Sequence, residues 1–133
     1  MIPVRRTKAG LQVCLIRRRT ASNWSIPKGF IERGDDWTEA GLAEAYEEAG
    51  LRGRLLGAAI GTYDYEKHGA MLTVAVGVMD VLEELATWQE MKWRERRWFS
   101  IEDAGDLLRD HPVWPLYDRV RPTLISMSLD RFS

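Results

Sequence analysis

The sequence predicts an α/β-class chain of the α+β or layered α/β/α kind, and three observations predict it. Apolar, β-branched runs recur at 11–19, 52–65 and 70–82, a capped helix signal stands between the first two, and helical patterning returns only towards the end. Strands and helices are therefore mixed without regular βαβ alternation. With 133 residues, 45% of them hydrophobic and 29% charged, residues 1–133 read as a single domain long enough to bury a core.

The elements follow in order. "LQVCLIRRR" (11–19) is a strand that ends in charge, and "TASNWSIPKG" (20–29) is a turn segment broken by Pro27 and Gly29. Asp35 and Asp36 can cap a helix over 36–49, with Glu39 three residues after Asp36 as in a capping box. Gly50 supplies the left-handed residue that ends it. "RGRLLGAAIGTYDY" (52–65) and "AMLTVAVGVMDVL" (70–82) are a strand and its return, joined by turn residues in "EKHG". A polar and aromatic connector leads to a short strand, "RRWFSI", then a short helix, "EDAGDLLRD", and a last helix over 113–127 that prolines should interrupt. The opening "MIPVRRTKAG" carries positive charge with no apolar run behind it, so it is not a secretory signal.

Charge and cysteine content narrow the function classes. A net charge of -1 argues against a general nucleic-acid binder or a membrane-surface protein, so neither partner is expected. The longest apolar run, "MLTVAVGVM", is about half of what spans a bilayer. One cysteine, Cys14, excludes an intrachain disulfide and a thiolate zinc site; within an apolar strand it reads as a small core residue. A lone thiol fits a reducing compartment, and the expected location is the cytoplasm.

The chemistry concentrates in "PKGFIERGDDWTEAGLAEAYEEAGL" (27–51). On a helix, Glu44, Glu47 and Glu48 are spaced i, i+3, i+4 and share one face, while Leu42, Ala45, Tyr46 and Ala49 are expected to meet the core. A solvated acidic face is the bland reading. Against it, the three carboxylates repel one another, no lysine or arginine on the helix offsets them, and they crowd its negative end. Oxygen ligands so gathered suit Mg²⁺ or Mn²⁺ completed by substrate phosphates.

The same segment resembles the Nudix box, G-x5-E-x7-R-E-U-x-E-E-x-G-U with U aliphatic. Gly29, Glu44, Ala45, Glu47, Glu48, Gly50 and Leu51 match, and "IPKG" resembles the approach to the box in many members. Two positions depart: Asp35 stands for the first glutamate, and Ala43 for the arginine that orients its neighbouring glutamates in the family. Without that guanidinium the carboxylate pKa values should rise, and Lys28, Arg33, Arg52 and Arg54 are the cations nearest in sequence. Beyond the box, "VLE", a charged connector and "RRWFSIEDA" are similar to diphosphoinositol polyphosphate phosphohydrolases and diadenosine polyphosphate hydrolases, a likeness that runs from about Leu11 to Arg119.

The resemblance implies a Nudix-like α/β/α sandwich with a mixed central sheet. It implies metal-dependent hydrolysis of a diphosphate linkage in a nucleoside-diphosphate-linked or highly phosphorylated small molecule, diadenosine polyphosphate or diphosphoinositol polyphosphate being favoured. Glu44, Glu47 and Glu48 are then the catalytic carboxylates and, with the Gly29 carbonyl, the ligands of Mg²⁺ or Mn²⁺; Glu44 is the candidate base. A housecleaning nucleoside triphosphate pyrophosphatase is the enzymatic alternative. A Nudix-fold binding module that has lost catalysis is the alternative of another class, with Ala43 as its support.

For substrate phosphates, Lys28 lies next to the box, and strand alternation sends Arg17 and Arg19 to one face, although a soluble strand end explains these arginines about equally well. His68 at a hairpin tip and His111 before Pro112 read as structural. Among the six tryptophans, Trp98 is expected in the core with Phe99, and Trp24, Trp88 and Trp93 read as packing before base stacking.

Overall fold

Alternation along the strand at 11–18 sets the layers. Val13 and Leu15 join one buried cluster, whereas Cys14 and Ile16 join another, so successive side chains feed opposite faces of the sheet. The computed structural model describes residues 1–29 and 36–129. Its elements are β1 (Ile2–Thr7), β2 (Gly10–Arg18), α1 (Trp37–Ala49), β3 (Leu51–Lys67), β4 (Ala70–Glu84), β5 (Arg94–Ser100), α2 (Ile101–Leu108) and α3 (Trp114–Leu129). The strands form one sheet in the order β3-β4-β1-β2-β5. β1 runs parallel to β4 and every other neighbouring pair is antiparallel, which makes the sheet mixed.

α1 covers one face through Ala45 and Ala49 against Cys14, Ile16, Leu51 and Met79. α2 and α3 cover the other through Ala104, Leu108, Tyr117 and Leu124 against Val13, Leu15, Val74 and Val76. The expected layered α/β/α arrangement is therefore present. Cys14 is fully buried, and burial pushes its thiol up to about 12, as suits a core residue.

β1 carries no element in the sequence reading, and it holds Pro3, which cannot donate to a strand ladder. The sheet accommodates it by register: pairing with β2 begins only at Val4↔Val13, so Pro3 faces no partner on that side. Ile2 and Val4 are buried, and the strand is central. The β3–β4 turn matches expectation, with His68 at φ 52° and Gly69 at φ 79°, the pair of left-handed residues that suits a two-residue hairpin. α3 is not interrupted. Pro115 falls in its first turn, where an N–H has no partner anyway, and Pro122 sits on the exposed side of the continuous helix.

Candidate active site

α1 begins where Asp36 accepts a hydrogen bond from the Thr38 N–H at 2.9 Å and ends at Gly50, φ 65°. Asp35 lies outside the described residues, as does Arg33. The buried stripe of α1 is Gly41, Ala45, Glu48 and Ala49. Two expectations change with that stripe. Tyr46 does not meet the core: it is 41% exposed, and the Arg52 guanidinium lies 4.9 Å above its ring. Glu48 leaves the acidic solvent face and is 7% exposed, the one charged side chain among the buried residues described.

Glu48 points into the space between α1 and the segment before it. One of its carboxylate oxygens accepts the Lys28 N–H at 3.4 Å, and Glu44 precedes it by one helical turn on the same helix. Gly29 closes this side. A methyl group there would meet Glu44 Cγ at 2.9 Å and the Ala40 carbonyl oxygen at 3.2 Å, so only glycine lets the loop approach the helix. Burial pushes the Glu48 carboxyl up to about 8, with Glu44 adding to the rise and Arg94 and Lys28 opposing it. Glu44 is raised as well, first by burial and then by the charges of Glu47 and Glu90, against Arg94.

The donor set suits a hard divalent ion in part. Glu44 and Glu48 converge, with Gly29 against them. Among the described residues no group of three His, Cys, Asp or Glu side chains is gathered closely enough to hold a metal. Glu47 is half-buried and does not line the cleft, while its carbonyl accepts the Glu90 N–H at 3.1 Å.

Glu48 forms part of the wall of a cleft of about 350 Å³ whose cations are Arg17, Arg18, Lys28, Lys67 and Arg94. Trp24, Tyr65 and His111 complete the lining that matters. Of the residues expected to meet substrate, Lys28 and Arg17 are there, Arg17 paired with Glu95 and stacked 4.4 Å above Trp24. Arg19 is elsewhere. β2 ends at Arg18, the alternation ends with it, and the Arg19 guanidinium donates twice to the Met91 carbonyl, at 2.7 and 3.0 Å.

Sequence reasoning passed over Arg18, Arg94 and Lys67 as cleft residues, and it gave His111 a structural role. His111 Nδ1 accepts the Val113 N–H at 3.0 Å, and burial together with Lys28 lowers its pKa to about 4. It is thus a neutral ring that braces a turn and also lines the cleft. Arg94 had no local signal, because fifty residues separate it from Glu44 in sequence.

Comparison with known proteins shows the family and the fold. The NUDIX domain family matches residues 1–122. Nudix hydrolase 16, mitochondrial, of Arabidopsis thaliana is 34% identical over 110 residues, which is 77% of this chain and 60% of that relative. Diphosphoinositol polyphosphate phosphohydrolase 3-alpha of Homo sapiens is 34% identical over 102 residues, 74% of this chain and 61% of that relative. The chain thus spans about three fifths of the length of these two curated relatives. A crystal structure of a C. elegans Ap4A hydrolase binary complex superposes with a TM-score of 0.73 at 20% identity, over 94% of either chain, a likeness of fold. A glycine packed against Glu44 beside the buried Glu48, on this mixed sheet and matched by the family along most of its length, leads to one conclusion: the chain belongs to the Nudix family.

Proposed function

We propose that this chain hydrolyses a diphosphate linkage in a highly phosphorylated small molecule, with Mg²⁺ or Mn²⁺ held by Glu44 and Glu48, the Gly29 carbonyl and, after a rotamer change, Glu47. The observation that carries the reading is the meeting of buried Glu48 with Arg17, Arg18, Lys28, Lys67 and Arg94 around one cleft. A polyanion would be drawn in and oriented by Arg17, Arg18, Lys28 and Lys67, with its diphosphate directed towards the glutamates. A bound divalent ion would supply positive charge for the diphosphate oxygens and acidity for the attacking water. Glu44, half-buried beside Glu48, is the candidate to accept the proton.

The aromatic surfaces favour a phosphorylated polyol over a base. Trp24 is covered by Arg17 at 4.4 Å and Arg97 at 5.3 Å, and Phe99 meets it edge-on at 5.1 Å. Lys28 Nζ lies 4.4 Å above Tyr65. A diphosphoinositol polyphosphate is therefore the first substrate class. Diadenosine polyphosphate is second, because the cover on Tyr65 is a flexible lysine that an adenine could displace.

Turnover of a diphosphoinositol polyphosphate, a diadenosine polyphosphate and a nucleoside triphosphate, each with Mg²⁺ and Mn²⁺, tests the reading. Release of orthophosphate from the inositol compound at the highest kcat/KM is expected. Preference for the nucleoside triphosphate with diphosphate release would replace it with the housecleaning activity, and no turnover of any would leave a binding module. We place the protein in the cytoplasm, which imaging of a tagged full-length chain checks.

A further inference from the structure

The acidic face of α1 lacks a cation of its own, and the position where one is missing explains little by itself. Ala43 is exposed and lies four residues from both Glu39 and Glu47, so a cation there would serve those two carboxylates. Glu48 lines the cleft instead, with Glu44 one helical turn before it. Of the cations close in sequence, Arg52 and Arg54 turn away to Glu83 and Asp80, at 3.8 and 3.5 Å. Lys28 offers Glu48 its backbone N–H and sets its ammonium over Tyr65.

Arg94 remains. It opens β5 opposite Arg18 and lines the cleft with Glu48. Its Nε donates to Glu90 Oε1 at 2.6 Å, and its backbone N–H donates to the Glu90 carbonyl at 2.9 Å. The segment that carries Glu90 is docked on the last turn of α1: the Glu90 N–H reaches the Glu47 carbonyl at 3.1 Å, and Trp88 Nε1 reaches the Glu48 carbonyl at 2.9 Å. Backbone bonds thus tie the brace of Arg94 to the residues that carry the acids. The side chains of the pair are only 18% and 17% exposed, so its geometry is fixed and its charge is poorly screened. The Arg94 charge is within electrostatic reach of both Glu48 and Glu44.

We propose that Arg94, braced by Glu90, is the positioning residue of the glutamate pair: from across the cleft it compensates Glu44 and Glu48 in place of a cation absent from α1. The proposal rests on the reading of α1 as the metal-holding element. It has a signature that a merely structural ion pair lacks. A cation that already compensates the carboxylates competes with the metal for them, while it holds them in the arrangement that turnover needs.

Mn²⁺ binding to substrate-free protein, followed by calorimetry at about pH 9 so that protons compete little, reads the first half. Arg94→Gln should bind Mn²⁺ about three- to tenfold more tightly than the parent, and Arg94→Lys, which keeps the charge, within about twofold. Arg97→Gln, on the same strand but outside the cleft lining and paired with Glu95 at 3.8 Å, should leave the affinity within about twofold. At saturating metal, Arg94→Gln should lose about tenfold or more in kcat, with KM moved less than about threefold.

An unchanged or weaker Mn²⁺ affinity in Arg94→Gln overturns the proposal, as does full kcat at saturating metal. A raised KM with unchanged Mn²⁺ affinity makes Arg94 a phosphate ligand and overturns it too. Should Arg94→Gln fail to fold, Glu90→Gln carries the test: loosening the brace must shift Mn²⁺ affinity and kcat in the same two directions, and no shift overturns the proposal. If Glu48→Gln binds Mn²⁺ as well as the parent, the metal reading of α1 fails first and takes this proposal with it.

Discussion

Two pairs of arginines flank the C-terminal end of α1, one from the start of β3 and one from the start of β5, and they behave differently. Arg52 and Arg54 follow the helix directly in sequence. Their side chains are 56% and 69% exposed, and their partners Glu83 and Asp80 lie at 3.8 and 3.5 Å. Arg96, 12% exposed, donates to the Ala49 carbonyl at 2.6 Å and to the Leu85 carbonyl, and stacks 4.2 Å above Trp88. Its neighbour Arg94 reaches the cleft. Nearness in sequence thus put the wrong arginines beside the acids. The helix end, where carbonyls lack partners, is served by the strand two places across the sheet from β1.

The largest expected effect tests whether the cleft side of that comparison carries function. Glu48→Gln should lower turnover about 10²-fold or more, the range in which proton and charge handling by one group is felt. Its stability profile sharpens the point. The Glu48 pKa in the fold is about 8, above the usual 4.5, so the metal-free fold binds more protons than the unfolded chain between those values. Stability from this group is therefore complete below about pH 4.5 and is lost as pH rises through about 8, a slope that melting curves of Glu48→Gln should lack.

Next in size, Arg96→Ala should cost about 2–3 kcal/mol, from charged hydrogen bonds to carbonyls that are left without partners, read as a lowered urea midpoint. The double variant Arg52→Ala with Arg54→Ala should cost less than about 1 kcal/mol and leave turnover intact, as exposed pairs do. A loss equal to that of Arg96→Ala would erase the distinction between the two strands. Smallest of all, Ala43→Arg should add about 0.3–0.5 kcal/mol through its i±4 neighbours Glu39 and Glu47 and change kcat by less than about twofold. A large gain in kcat would mean that the helix had been waiting for this arginine and that the β5 side does not substitute for it.

Much of the fold was legible from local chemistry. Asp36 and Gly50 bound α1 within a residue of expectation, because caps are set by groups adjacent in the chain. The β3–β4 hairpin was equally clear, since its turn needs two left-handed residues and His68-Gly69 provides them. β1 was not legible: a proline argues against a strand, and only the register with β2 shows that its missing N–H faces no partner there. Tyr46 misled for a related reason. Its helical position borders the core stripe, and the Arg52 guanidinium over its ring makes an exposed aromatic face acceptable.

By itself, then, the sequence determined the helix, its acidic residues, the hairpin and the glycine that ends the turn segment before the helix, all of them consequences of spacing within a few residues. Tertiary structure alone decided that Glu48 is buried while Glu47 is not, that Arg19 ties down a connector while Arg18 enters the cleft, and that the cations around Glu48 come from β2, β3, β5 and the segment before α1. Charge acts through space and is strengthened where water is excluded, so its partners are chosen by packing and not by distance along the chain.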